Sequence, residues 1–405
     1  MGNYHLIMKP TTFLWIKKEK GCIYNTLNGG MFRFINHEPI NTIVGKLLDR
    51  KSLYQIVISE NEFNNEIIKK WINGIISIDA GKIVNDENYQ RTASFLPEFK
   101  IRDNIESYKS RHEMFRDSNN IMNNIHNLIF YINGSKYGNS NYFKQINYPM
   151  LTSDALSINH IDYFVRNSRK SDFLNKITLV GDLWNYSGKE RILKIADEYG
   201  YSVKYCCLDK DVINSFEHLD YLLNNNVFLQ IIVSDHDLTE GILLKIKKEN
   251  SILFAFVISC EDDLYKAEGI IDKYGLTNFE LIPICTENNL RFIENNLYLS
   301  KEDIGEIKLS KREIFAHQVL NTHDFGVLTI APDGAIYSNT CNSPIGHVEE
   351  APHDIVFREI TEGKSWFRIR DQKPCCDCIY QWLCPSPSNY ELVIGKPNLC
   401  RITVD

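Results

Sequence analysis

Apolar and polar positions fall into three successive rhythms along the chain. Over the first hundred residues the runs are short. Residues 12–16 and 22–27 read as two strands joined by the charged turn 17–21. Asn28-Gly29-Gly30 makes a second turn, and 31–35 a third strand. Ile40, Ile43, Val44, Leu47 and Leu48 share one helical face, and a short strand over 53–58 follows. Phe63, Ile67, Ile68 and Trp71 are spaced for burial on a second helix, and the polar stretch 82–91 marks the edge of this small α+β unit, residues 1–100.

From about His112 the rhythm becomes strand followed by helix, repeated over residues 110–320. Strands are expected at 128–132, 177–181, 202–207, 227–233, 253–259 and 279–284. Amphipathic stretches lie between them at 188–199, 212–223, 238–248 and 264–274. Short apolar strands alternating with such helices imply parallel β-α units and an α/β class. Pattern alone leaves open an incomplete barrel or a doubly wound sheet. The third rhythm covers 325–405: 327–330 and 335–338 flank the hairpin turn Pro332-Asp333-Gly334, then a stretch dense in proline and cysteine follows. Too little apolar surface lies there for an independent core, so a metal staple would fill a physical need.

At 405 residues the chain is long enough for two or three such units, with 43% hydrophobic and 12% aromatic residues to fill their cores. Its net charge of −7 and lack of a basic stripe argue against a nucleic-acid partner. With no signal-peptide pattern and no apolar run of membrane-crossing length, a cytoplasmic location without a membrane partner is expected. In a reducing compartment eleven cysteines are unsuited to disulfides. Five of them lie between 375 and 400.

Cys375 and Cys378, two residues apart, can grip a metal from one tight turn. Cys384 can return on a short helical turn, and Cys400 must arrive from a separate loop shaped by prolines 385, 387 and 397. Four thiolates suit an iron–sulfur cluster or zinc, and spacing does not separate the two. Tyr380, Trp382 and Leu383 would shield the site from water. Histidines are scattered without a paired metal-site spacing, and the acidic run Glu261-Asp262-Asp263 reads as a solvated turn or the cap of the next helix, so neither supports hydrolysis.

The C-x2-C-x5-C spacing with a distant fourth cysteine, preceded by Pro332-Asp333-Gly334-Ala335-Ile336-Tyr337 and Ile345-Gly346-His347-Val348, resembles the SPASM domain. This is the auxiliary-cluster extension of radical S-adenosylmethionine peptide maturases. The run 384–392 and the stretch 395–400 are further similar to grasp-with-spasm proteins, which work beside an ATP-grasp ligase. The resemblance covers about residues 325–405. It implies one 4Fe–4S cluster on Cys375, Cys378, Cys384 and Cys400, and a partial (β/α)6 barrel before it. A second, inner cluster would need a cysteine where Ser388 stands, and only Cys341 remains of its upstream ligands. Cys376 is an extra thiol beside the site.

Radical chemistry in this family needs C-x3-C-x2-C after the first barrel strand. Here residues 133–143 contain no cysteine, and none occurs between Cys22 and Cys206. Val180-Gly181-Asp182-Leu183 stands where a Gly-Gly-Glu contact to the methionine moiety is expected, and Gly181 reads as an ordinary strand-end turn. S-adenosylmethionine is therefore not an expected cofactor. Cys206-Cys207, Cys260 and Cys285 at strand ends read as packing. The N-terminal strand order is similar to the winged-helix-like elements that capture a leader peptide as an added strand, with 32–35 and the helix 40–48 forming the groove. The expected role is a non-catalytic, pseudo-radical-SAM partner in maturing a ribosomally made peptide. Its partners would be the precursor peptide and a maturation enzyme such as an ATP-grasp ligase or a radical SAM protein. The alternative is an enzyme of unrecognised mechanism at the barrel mouth.

Overall fold

The structure is a computed structural model that describes residues 2–90, 93–97, 119–168, 171–214, 219–235, 241–243 and 251–403. Its N-terminal part holds two small antiparallel sheets. One joins β2 (Thr12–Lys17), β3 (Lys20–Asn25) and β4 (Gly30–Ile35) in that order. The other places β1 (Asn3–Met8) between β5 (Gln55–Ser59) and β6 (Gly81–Asn85). The helices Glu38–Leu48 and Glu66–Ser77 bury Ile43, Val44, Leu47, Trp71 and Ile75 in a core with Leu6, Ile23 and Ile58. The sequence reading missed β1, and part of the stretch taken as a polar edge is β6, paired with β1 from Tyr4↔Asn85 to Met8↔Gly81. Both strands look too polar alone. β6 becomes a strand by pairing with β1, and β1 by pairing with both β5 and β6.

The large sheet has nine strands among the described residues. β7 (Asn127–Tyr131), β8 (Lys176–Val180), β9 (Ser202–Leu208), β10 (Phe228–Val233), β11 (Ile252–Ile258) and β12 (Phe279–Pro283) are parallel neighbours in sequence order. Sequential order is that of singly wound β-α units and excludes the doubly wound alternative. The helix expected over 238–248 falls largely outside the described residues. The C-terminal hairpin forms as read, β13 (Val327–Ile330) antiparallel to β14 (Ala335–Tyr337). It is also part of the same sheet, because β13 lies parallel to β7.

The two faces of this sheet are packed differently. Alternate residues such as Phe130, Leu179, Tyr205, Ile231 and Phe256 meet the helices, among them Ile158–Ser168, Lys189–Glu198 and Glu261–Tyr274. The intervening residues Tyr131, Val180, Cys206, Leu208, Ile232 and Ala255 face the chain's own segment after β7, through Phe143 and Tyr148. Cys206 and Cys207 thus point to opposite faces, both fully buried, as strand alternation requires. No described helix is long and apolar enough to cross a membrane.

Candidate metal centre

The cysteine-dense stretch does not build a core of its own. Tyr380 and Leu383 are buried with Phe13, Cys22 and Tyr24 from one face of the β2–β4 sheet, and with Ile304, Leu309 and Ile314. Cys378, Trp382 and Cys384 pack at the margin of this cluster. The apolar partners that the stretch lacks in sequence come from the N-terminal sheet and from residues 304–314.

Against this support the four expected cysteines line one cavity, together with Leu299, Arg370, Pro374, Gln381, Asn398, Leu399 and Ile402. Cys375 opens the short 3-10 turn Cys375–Asp377, and the amide of Cys378 donates to Cys375 O at 3.0 Å, so the two-residue spacing forms a tight turn. The amide of Cys384 donates to Tyr380 O at 3.0 Å, the helical return expected from the five-residue spacing. Cys400 is held from outside by an isolated parallel bridge to Leu299, with the Arg401 amide donating to Leu299 O at 3.0 Å.

Three sulfurs have an N–H donor. Arg370 Nη1 lies 3.9 Å from Cys375 Sγ, the Tyr380 amide 3.5 Å from Cys378 Sγ, and Asn398 Nδ2 3.1 Å from Cys400 Sγ. Arg370 is 8% exposed and is fixed by Glu391 at 2.8 Å and by Pro385 O at 2.6 Å. Sequence reasoning missed Arg370 and Asn398. Neither belongs to a spacing pattern, and only the fold brings them to the sulfurs. Burial pushes the Cys384 thiol up to about 12, with Cys378, Cys400 and Cys375 pushing the same way and Arg370 opposing. Burial is also the main cause raising Cys375 and Cys378. The burial that raises Cys375, Cys378 and Cys384 together opposes their ionisation, and a bound cation would offset it.

The donor set therefore fits a thiolate-bound metal group. Gln381, which also lines the cavity, leaves its Oε1 buried without a partner among the described residues. Also among the described residues, no three His, Cys, Asp or Glu side chains gather tightly enough to share one metal ion. The thiols border a cavity and do not close on a point. Cys376 is absent from the cavity lining, its Sγ 3.8 Å from Asp377. Cys341 lies elsewhere, donating to Lys144 O at 3.1 Å. Ser388 caps the helix Asn389–Ile394, its amide donating to Glu391 Oε2 at 2.7 Å.

At the C-terminal ends of the parallel strands, Gly181 has a φ of +127°, and a Cβ there would stand 2.6 Å from Asn133 O. Asn133 ties the two strand ends together, accepting from the Asp182 amide at 2.7 Å and donating to Asp182 O at 2.8 Å. Gly181 is a strand-end turn, as read. Glu261, Asp262 and Asp263 occupy the first turn of the helix Glu261–Tyr274, where Asp263 accepts from the Ser259 amide at 2.9 Å.

No family model and no curated protein matches the chain. Among solved structures it is similar to SuiB of Streptococcus suis bound to S-adenosylmethionine. That match has a TM-score of 0.45 and 11% identity, and covers 98% of this chain and 99% of that one. SuiB bound to the precursor peptide SuiA gives the same values. BtrN in complex with AdoMet and 2-DOIA gives 0.33 and 10%, covering 59% of this chain and 86% of that one. At such scores these likenesses decide neither fold nor function.

Proposed function

We propose that this chain is a non-catalytic partner in maturing a ribosomally made peptide, a pseudo-radical-SAM protein that carries one 4Fe–4S cluster in a SPASM-like tail. Cys375, Cys378, Cys384 and Cys400 would hold the cluster, and the N-terminal unit would take the precursor peptide at β4. A partner enzyme, an ATP-grasp ligase or a radical SAM protein, would make the modification. The observation that carries the reading is the filling of the large sheet's second face. Phe143 and Tyr148 are buried there against Tyr131, Val180, Leu208 and Ile232, the side on which a partial barrel would keep its cofactor. Tyr131 and Phe143 meet edge to face at 4.9 Å. The segment that would need three thiolates supplies aromatic filling.

A cluster supplies electron transfer or a rigid staple when bound, and this chain's part is to orient the sulfurs and keep water out. Four thiolates suit an iron–sulfur cluster and zinc alike, and metal and sulfide analysis separates the two. The use of Ser388 as a helix cap favours one cluster over two.

The test is anaerobic purification followed by iron, sulfide and zinc analysis of wild type and Cys378→Ser, with S-adenosylmethionine cleavage assayed under reduction. About four irons and four sulfides per chain, lost in the variant, are expected, with cleavage no faster than a protein-free control. Robust cleavage would overturn the pseudo-enzyme reading. One zinc without sulfide would make the tail a structural staple.

A further inference from the structure

A cleft of about 940 Å³ lies between β4, the N-terminal helices and the cysteine-bearing turn. Lys17, Lys18, Lys20, Arg33, Lys70 and Lys301 line it, against only two carboxylates, Glu19 and Asp377. In a chain with a net charge of −7 this is a local inversion of sign. Two of the cations are already engaged: Lys18 Nζ is 3.6 Å from Asp377, and Arg33 Nη1 donates to Tyr380 Oη at 2.9 Å. Lys20 and Lys70 are exposed. Apolar surface is open beside them, with Ile35 60% and Ile67 42% exposed. β4 is an edge strand, paired only with β3 among the described residues.

We propose that this cleft binds an extended acidic peptide segment, paired along β4, with alternate apolar side chains on Ile35 and Ile67 and carboxylates on Lys20 and Lys70. The inference rests on the reading of this chain as a peptide-binding partner and specifies the peptide's chemistry. An open strand edge offers backbone groups that another strand satisfies. The surplus of cations selects the sign of the incoming charge. A nucleic acid fits less well. It would leave the strand edge and the two exposed isoleucines unused.

The probes are a fluorescein-labelled dodecapeptide alternating valine with glutamate, its twin with lysine for glutamate, and a single-stranded oligodeoxynucleotide of similar length. Each is titrated by fluorescence anisotropy into the full-length protein. The glutamate peptide is expected to bind at least about tenfold more tightly than the lysine twin, with affinity falling as salt rises. Lys20→Glu with Lys70→Glu should weaken it by about tenfold or more, both residues being exposed and outside the core. Equal affinity for the twins, or no effect of the double reversal, overturns the acidic specificity and leaves a peptide groove standing. Displacement of the peptide by an equal concentration of oligonucleotide overturns it in favour of a general polyanion site. Binding of neither peptide also overturns it, and the iron and cleavage measurements then judge the broader reading independently.

Discussion

Asp211, just beyond β9, is 5% exposed, and burial pushes its carboxyl up to about 6. Asp182 and Asp209 push the same way, while the hydrogen bond from Ser135 Oγ at 3.2 Å and the charge of Lys136 oppose them. Its Oδ2 has no partner among the described residues. The folded chain therefore holds this proton more tightly than the unfolded one, where an aspartate titrates near ~3.9. The contribution to stability is full below about pH 4 and is lost as pH rises to about 6. Asp211→Asn keeps an acceptor for Ser135 and removes the charge. It should be more stable than wild type at neutral pH by on the order of 2 kcal/mol, with the gap closing toward pH 4. Urea denaturation over a pH series measures this, and a gap independent of pH would show that Asp211 does not titrate abnormally. The candidate ligands were legible at this scale because thiolate chemistry restricts both residue type and spacing. Asp211, Arg370 and Asn398 were not, because their importance comes from neighbours distant in sequence.

The cysteine turn meets the β2–β4 sheet through two polar contacts, Arg33 of β4 to Tyr380 and Lys18 of the β2–β3 turn to Asp377. Cys378 lines both the thiol cavity and the basic cleft. If the tail holds a metal as proposed, its loss should be felt in β4. Stripping iron from loaded protein with a chelator is expected to raise amide hydrogen exchange over 372–384 and over Gly30–Ile35, while Ser202–Leu208 keeps its protection. Unchanged exchange in β4 would mean that the two contacts transmit nothing. The parallel strands were read to within one residue at each end, and in β7 and β11 the apolar run is unbroken and buried on both faces, which leaves few alternatives. The helix Ile158–Ser168 was passed over, although Ile161, Phe164, Val165 and Ser168 follow a helical spacing. Polar residues on its other face dilute the signal. β1 and β6 carry no strong pattern of their own, and only pairing makes them strands.

The two ends of the chain fold onto each other, and neither end announces this in sequence. Phe13, 2% exposed, stacks beside Trp15 at 5.4 Å and meets Phe315 edge-on at 5.5 Å, in the same cluster as Tyr380 and Leu383. The tail was expected to depend on a metal for want of apolar partners. It has those partners, and they come from β2–β4 and from Ile304, Leu309 and Ile314. If this shared core positions the thiols, damage at residue 13 should loosen a metal bound by residues 375–400. Phe13→Ala should cost about 3–5 kcal/mol by leaving a cavity, and should speed iron release to a chelator. Phe164→Ala, a fully buried change of the same size in the helix-side core of the large sheet, supplies the control. It should destabilise comparably without hastening release under native conditions. Equal release rates from the two variants would mean that metal retention follows global stability, and that the β2–β4 sheet has no particular hold on the tail.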